Sequence, residues 1–141
     1  MGEDRRILLA ALSELLDETV LLSGERIPEK ARSDASRSGR NLPWLYVRPT
    51  TVEHVRITLQ ACNAHRWPVT VQGGMTGLAG GANPDRGDVV IALDRLAGIE
   101  EIDTAAGTMT VKAGTVLEAA QKAAEEAGFL LPIDLGARGS C

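Results

Sequence analysis

Cysteine and aromatic side chains are scarce in this sequence, and each scarcity closes off a class of function. Two cysteines in 141 residues, Cys62 and Cys141, build no disulfide framework. They fit a reducing compartment, and a cytoplasmic location is expected. His54 and His65 are the only histidines; they stand about three helical turns apart, too far to share an ion, so no zinc site is expected. The aromatic set, Trp44, Tyr46, Trp67 and Phe129, leaves nothing spare for stacking bases. A net charge of -4 lacks the cationic excess that phosphate neutralisation demands, so nucleic acid is excluded as a partner. Long apolar runs are also missing. Arg5 and Arg6 before Ile7 to Leu12 imitate a signal peptide, but Ser13, Glu14, Asp17 and Glu18 break the run too early. No stretch approaches the roughly 20 apolar residues of a membrane helix.

Glycine is what the sequence has in excess. There are 15, against roughly 10 for an average share of about 7%. Only Gly2, Gly24 and Gly39 precede Gly73, so the second half is built around backbone that turns sharply or approaches something closely. With 44% hydrophobic residues the chain has material for a sizeable core, and nothing forces a second domain.

Apolar spacing predicts a helix over residues 4–17, with Ile7, Leu8, Ala11, Leu12, Leu15 and Leu16 on one stripe. Residues 23–43 read as an irregular, charge-rich, solvated connection. A strand is expected from Trp44 to Val47. Thr50-Thr51-Val52-Glu53 then has the form of a capping box, and Val52, Val55, Leu59 and Cys62 line one face of the following helix. Cys62 on that face reads as a buried small hydrophobe rather than a nucleophile. Further strands are expected at residues 68–72 and 88–93, a hairpin at Ile99–Asp103 and Thr108–Lys112, and a strand at Phe129–Leu131. Between them a helix starts at Thr115, presents Ala120, Ala123, Ala124 and Ala127 to a sheet, and ends at Gly128.

GGMTGLAGG, residues 73–81, leaves the carboxyl end of a strand, where open sheets place their ligands. Without Cβ atoms its amides can converge on an anion. It carries no lysine or arginine and lacks Gly-Lys-Ser/Thr, so nucleotide hydrolysis is disfavoured. The G-x-G-x-x-G fingerprint fails as well, because Asn83-Pro84-Asp85 stands where a helix should continue. The chemistry suits holding a diphosphate rather than transferring a phosphoryl group. A tight structural connection is the plain alternative, opposed by the backbone entropy that such a density of glycine costs.

Four segments, in order and at compatible spacing, carry a family resemblance. RPTTVEHV from Arg48, QGGMTGLAGG from Gln72, AGTVLEAA from Ala113 and PIDLGARGSC from Pro132 resemble the PCMH-type FAD-binding domain of the vanillyl-alcohol-oxidase superfamily, nearest the D-2-hydroxy-acid dehydrogenases of the lactate, glycolate and 2-hydroxyglutarate type. The resemblance implies an α+β fold. An N-terminal helix (1–22) and the connection (23–43) would precede a small strand-helix-strand subdomain (44–93). Residues 94–141 would begin a second, mixed or antiparallel sheet subdomain with helices. It implies FAD as cofactor, its diphosphate wrapped by Gln72, Gly73, Gly74, Met75, Thr76, Gly77, Leu78, Gly80 and Gly81. Pro132, Asp134, Gly136, Gly139 and Ser140 would approach it from the other subdomain. Some relatives attach FAD covalently through a histidine near the first loop; none lies between Gln72 and Gly81, so non-covalent binding is implied. Where relatives often carry tyrosine three residues before the aspartate matching Asp34, this chain has Ala31.

By the same resemblance, the whole enzyme would move a hydride from the α-carbon of a D-2-hydroxy acid to flavin and pass electrons to an unidentified acceptor. Family members continue beyond the GSC-like segment into a substrate domain, so the 141 residues are expected to be an N-terminal part without catalytic residues, silent alone. The hydroxy acid would be bound by the C-terminal domain. A homodimer, and peripheral membrane attachment through the electron acceptor, are left open. The alternative is a catalytically silent FAD-binding or interaction module that kept the fold.

Overall fold

A computed structural model describes residues 2–141. Helix α1 (Glu3–Ser13) leads into β1 (Leu21–Ser23), two single 3-10 turns (24–26 and 29–32), β2 (Leu45–Val47), α2 (Val52–Ala64), β3 (Val69–Gln72), β4 (Val89–Ala92), β5 (Ile99–Asp103), β6 (Thr108–Val111) and α3 (Leu117–Glu126). Four strands form one sheet in the order β1-β2-β4-β3, and β5 pairs with β6 in a separate antiparallel ribbon. This is the expected α+β architecture.

Strand β4 occupies the inside of the sheet, parallel to both β2 and β3. Its run Val89-Val90-Ile91-Ala92 is buried throughout, as a strand covered on both faces requires. One face sets Leu45, Val47 and Val89 against Leu8 and Leu12 of α1 and Cys62 of α2. The other sets Tyr46, Val90 and Ala92 against Ile27 and Ala31. The connection that reads as a solvated loop therefore covers half of the core. Its basic side chains fasten it: the Arg26 guanidinium donates to the carbonyls of Glu18 and Leu21, both at 3.1 Å, and Arg32 donates to that of Arg40 at 2.8 Å.

The N-terminal helix stops earlier than its apolar stripe. Asp17 accepts from the amide and hydroxyl of Thr19 (2.7 and 2.6 Å) and from the Val20 amide (3.2 Å), a local turn that competes with helix. Strand β1 follows, pairing Leu21 with Val47; three residues are too few to show alternation. Helix α2 is capped by Thr51, one residue later than the capping box suggests, its hydroxyl accepting from the His54 amide at 3.2 Å. Its buried positions are Thr58 and Cys62, whereas Val52 is 69% exposed and Leu59 is exposed. The Thr58 hydroxyl is satisfied inside the helix by donating to the His54 carbonyl at 2.7 Å. Burial pushes the Cys62 thiol up to about 11, as fits a packing residue.

Helix α3 begins at Leu117, not Thr115. The Thr115 hydroxyl is taken by both backbone groups of Gly98 at 3.0 Å. The first free helical amides are met instead by the chain's last turn: Leu117 donates to the Cys141 carbonyl and Glu118 to that of Arg138, both at 2.9 Å. At the other end Gly128, φ +82°, closes a Schellman motif in which Phe129 donates to Ala124 at 2.8 Å and Gly128 to Glu125 at 2.9 Å. The strand expected at Phe129–Leu131 does not form, since no strand lies beside it. The Gln121 amide holds the carbonyls of Leu131 and Ile133 there instead. Among the described residues no helix is long and apolar enough to cross a membrane.

Candidate cofactor site

Strands β2, β3 and β4 run parallel, so their carboxyl ends share one edge, and residues 73–88 must travel from that edge back to the start of β4. The glycine-rich stretch opens this return. Gln72, 1% exposed, anchors its root: the side-chain amide donates to the carbonyls of Ala31 at 2.8 Å and Ala82 at 2.9 Å. Its Oε1 is buried without a protein partner.

Past Gln72, no backbone carbonyl among the described residues accepts a hydrogen bond from the amides of residues 74–79. Only one loop carbonyl among them is engaged, that of Met75, which accepts from the Ala35 amide at 3.0 Å. Met75 takes φ +59° without being glycine. Because a trans peptide plane opposes its C=O and N–H, fixing the Met75 carbonyl toward Ala35 aims the Thr76 amide away from residue 35. The result is a short row of unpaired donors, the arrangement that attracts an anion.

Gly74 lies against the end of the chain. A Cβ there would stand 1.7 Å from the Ser140 carbonyl oxygen and 3.0 Å from the Cys141 Cα. The two segments share a notch of about 130 Å³ lined by Gly73, Gly74, Asp94, Gly114, Ser140 and Cys141. That is below the roughly 300–1,000 Å³ of a pocket for a whole small molecule, and it matches one group of a larger ligand lying along the edge. Gly114 supplies the second close approach, a Cβ there falling 1.7 Å from the Leu93 carbonyl oxygen.

Of the residues the sequence nominates, the structure brings together Gly73, Gly74 and Ser140 in the notch, with Met75 and Thr76 following directly. Gly139 packs by Glu118, 3.3 Å from where its Cβ would be. Leu78, 79% exposed, and Gly81 lie on the outer part of the loop, and Gly80 (φ +78°) bends it back. Gly77 approaches the Asp34 carboxylate. Pro132, Asp134 and Gly136 are exposed and do not line the notch.

Three polar residues to which the sequence assigns no role at the site belong here. Asp94 lines the notch, paired with Arg48 at 2.9 Å and Lys30 at 3.4 Å. Burial opposes its ionisation, but the hydrogen bond and charge of Arg48 and the charge of Lys30 outweigh this and hold the carboxyl below the usual range. An anion in the notch therefore meets a compensated carboxylate. Asp34 and Asn83 lie beneath the loop, tied by the Asp34 amide donating to Asn83 Oδ1 at 2.7 Å. Neither residue belongs to a periodic pattern; only the cluster of Ser and Asp from Ser33 to Ser38 hints at a turn.

Free amides at a strand end, faced by a second backbone segment and with no lysine or arginine in the loop, make a backbone-lined edge open to an anion. Comparison with known proteins makes this specific: the chain belongs to the FAD binding domain family, whose model matches residues 43–141, and its cofactor is FAD. It is related to the D-2-hydroxy-acid dehydrogenases. It is 33% identical over 133 residues to the mitochondrial D-2-hydroxyglutarate dehydrogenase of Bos taurus, covering 94% of this chain and 24% of that one. It is 40% identical over 99 residues to the D-2-hydroxyglutarate dehydrogenase of Xanthomonas citri pv. viticola, covering 70% and 21%. The chain thus spans about a quarter or less of the length of these curated relatives. Among solved structures, an alkyldihydroxyacetonephosphate synthase superposes with TM-score 0.82 at 18% identity, covering 92% of this chain and 26% of that one. A p-cresol methylhydroxylase with substrate bound gives 0.75 at 21%, covering 96% and 27%. At such identities they establish the fold.

The residues present fit FAD: the unpaired amides and the open space above Gly73 and Gly81, where a Cβ would meet nothing within 4 Å, suit close approach of a diphosphate to backbone. The cytoplasmic expectation is corrected by the same relatives, since those from Bos taurus, Oryza sativa, Danio rerio, Arabidopsis thaliana and Rattus norvegicus are mitochondrial proteins. The expectation rested on two cysteines that build no disulfide framework, which does not distinguish the cytosol from other reducing compartments.

Proposed function

We propose that this chain supplies the FAD-binding portion of a flavin-dependent oxidoreductase acting on a D-2-hydroxy acid. The observation that carries the reading is the row of unpaired amides at residues 74–79 next to the notch shared by Gly73, Gly74, Ser140 and Cys141. In this reading the loop from Gly73 to Gly81 cradles the diphosphate by backbone donors, Gly139 and Ser140 close over it, and Gln72 holds the root. Pro132, Asp134 and Gly136 serve a part of FAD farther from the notch. The bound flavin supplies a two-electron acceptor for the hydride of the substrate's α-carbon.

This chain's own share is to bind, orient and screen. Backbone N–H groups meet the negative diphosphate without a mobile cation, and Lys30 and Arg48 cancel the charge of Asp94. Nothing in the notch gathers the cations and base that a carboxylate substrate needs, so those groups are assigned to polypeptide outside residues 1–141, as is the electron acceptor's docking site. Binding is non-covalent, because residues 73–81 offer no histidine.

Titrating FAD into the purified chain tests this directly. Quenching of flavin fluorescence and a rise in melting temperature are expected, with all flavin released on denaturation. A folded chain that shows neither effect refutes the cofactor reading. For the reaction, the longest polypeptide containing this segment is expected to reduce its flavin with D- but not L-2-hydroxy acids; reduction by neither sinks the substrate class alone.

A further inference from the structure

Asp34 is a buried carboxylate near the loop that the proposed cofactor contacts do not use. It is 5% exposed. Its Oδ1 accepts from the Ser36 amide at 3.0 Å and the Ser36 hydroxyl at 2.5 Å, and its Oδ2 lies 3.6 Å from where a Gly77 Cβ would be. The Gly80 amide also faces the carboxylate. Its own amide donates to Asn83 Oδ1, while Asn83 Nδ2 donates to the Ser38 hydroxyl at 2.9 Å and the Asn83 amide donates to the Gly80 carbonyl at 3.1 Å. The next residue, Ala35, grips the Met75 carbonyl. Residues 33–38 thus touch the loop at both ends, at Met75 and at Gly80.

A carboxylate this near an anion site cannot be a ligand of that anion, since like charges repel. Its value lies in what it does to the backbone. By accepting from Ser36 it closes the turn that presents the Ala35 amide, and that amide holds Met75 in a left-handed conformation that a non-glycine residue adopts only at a cost. Released, the Met75 peptide would relax and the Thr76 amide would lose its aim.

We infer that Asp34, with Asn83, is a positioning residue for cofactor binding: it braces the glycine loop from behind so that the amides after Met75 stay turned toward the diphosphate. The inference rests on the proposed FAD site, and its test separates the two. FAD dissociation constants and amide exchange at Ala35 and Ser36 in cofactor-free protein are measured for the wild type, Asp34→Ala, Asp34→Asn and Asn83→Ala. Asp34→Ala is expected to weaken FAD by about tenfold or more, the value of a hydrogen bond to a charged group. It should also speed exchange at Ala35 and Ser36, with β4 amides still protected. Asp34→Asn keeps an acceptor at the same place and should recover most of the affinity, a rescue that loss of global stability would not give.

Unchanged affinity and exchange in Asp34→Ala with β4 intact overturns the brace. If Asp34→Ala does not fold, Asn83→Ala decides: faster exchange at Ala35 with weaker FAD supports the brace, and unchanged values overturn it. If the wild type itself ignores FAD, the proposed function fails, while the exchange measurements still decide whether Asp34 holds the loop.

Discussion

Gly74→Ala is the substitution that most directly probes the seam between the glycine loop and the chain's last turn. The added methyl would stand 1.7 Å from the Ser140 carbonyl oxygen and 2.7 Å from its carbon, where ordinary contact begins near 3.4 Å. The obstruction is backbone, so no side chain can swing aside, and the terminal segment must retreat by about 1.7 Å. Forced overpacking of this kind costs about 1–3 kcal/mol, roughly five- to hundredfold in the equilibrium that closes the seam. The loss does not stop there. Segment 138–141 supplies the carbonyls that cap Leu117 and Glu118, so its retreat uncaps α3 as well, at about 1 kcal/mol per bond. The assay is amide exchange at Leu117 and Glu118 together with thermal melting, both without cofactor. Faster exchange at those two amides, a lower melting temperature and weaker FAD binding are expected. Gly73→Ala is the paired control. A Cβ there meets nothing within 4 Å and the residue does not need a left-handed backbone, so melting should not change, whereas FAD affinity should fall, because the space above Gly73 is where backbone meets diphosphate. A Gly74→Ala protein with wild-type melting and wild-type exchange at Leu117 would refute the seam. Equal FAD affinity in Gly73→Ala and wild type would refute the cradle.

Other consequences are open to measurement. Cys141 borders the notch while Cys62 is buried with its thiol pushed up to about 11; alkylation near neutral pH should therefore mark Cys141 first, FAD should slow that reaction, and Cys62 should react only on unfolding, as peptide mass mapping would show. Asp94 has a native carboxyl held below its ordinary 3.8 by Arg48 and Lys30, so its stabilising contribution is complete above about pH 4 and lost as pH falls through the depressed native value; Asp94→Asn should flatten the acid limb of a stability-against-pH curve below pH 4. Gly128→Ala places a Cβ on a residue at φ +82° and should cost about 1 kcal/mol, a few degrees of melting temperature, leaving FAD affinity unchanged because the cap lies at the far end of α3.

The glycine loop, the three helices and the strands around the loop were legible because each rests on a local signal: backbone freedom at residues 73–81, apolar periodicity in α1 and α3, and the all-apolar run of β4. What escaped is non-local. Thr115 and Glu118 have the spacing of a capping box, yet the hydroxyl found a better partner in Gly98 and the helix took its cap from Arg138 and Cys141; a cap read from sequence assumes that no distant carbonyl arrives first. Ile27 and Ala31 lie in a segment too polar to suggest burial, yet its half-exposed arginines reach back to backbone carbonyls and hold the segment on the sheet. Val52 and Leu59 satisfy helical spacing and still face outward, since α2 is buried along its Thr58–Cys62 line.

The two sheets have no strand in common, and around the notch they are joined by close backbone approaches, Gly74 on Ser140 and Gly114 on Leu93. A ligand seated across Gly73, Gly74 and Ser140 bonds to both sides of that junction and so must stabilise it. At a free concentration of about 100 times its dissociation constant it would add about 2.7 kcal/mol, comparable to the cost assigned to Gly74→Ala. Saturating FAD should therefore restore much of the exchange protection at Leu117 and Glu118 that this substitution removes. A cofactor that bound the loop alone would leave those two amides exchanging as fast as before.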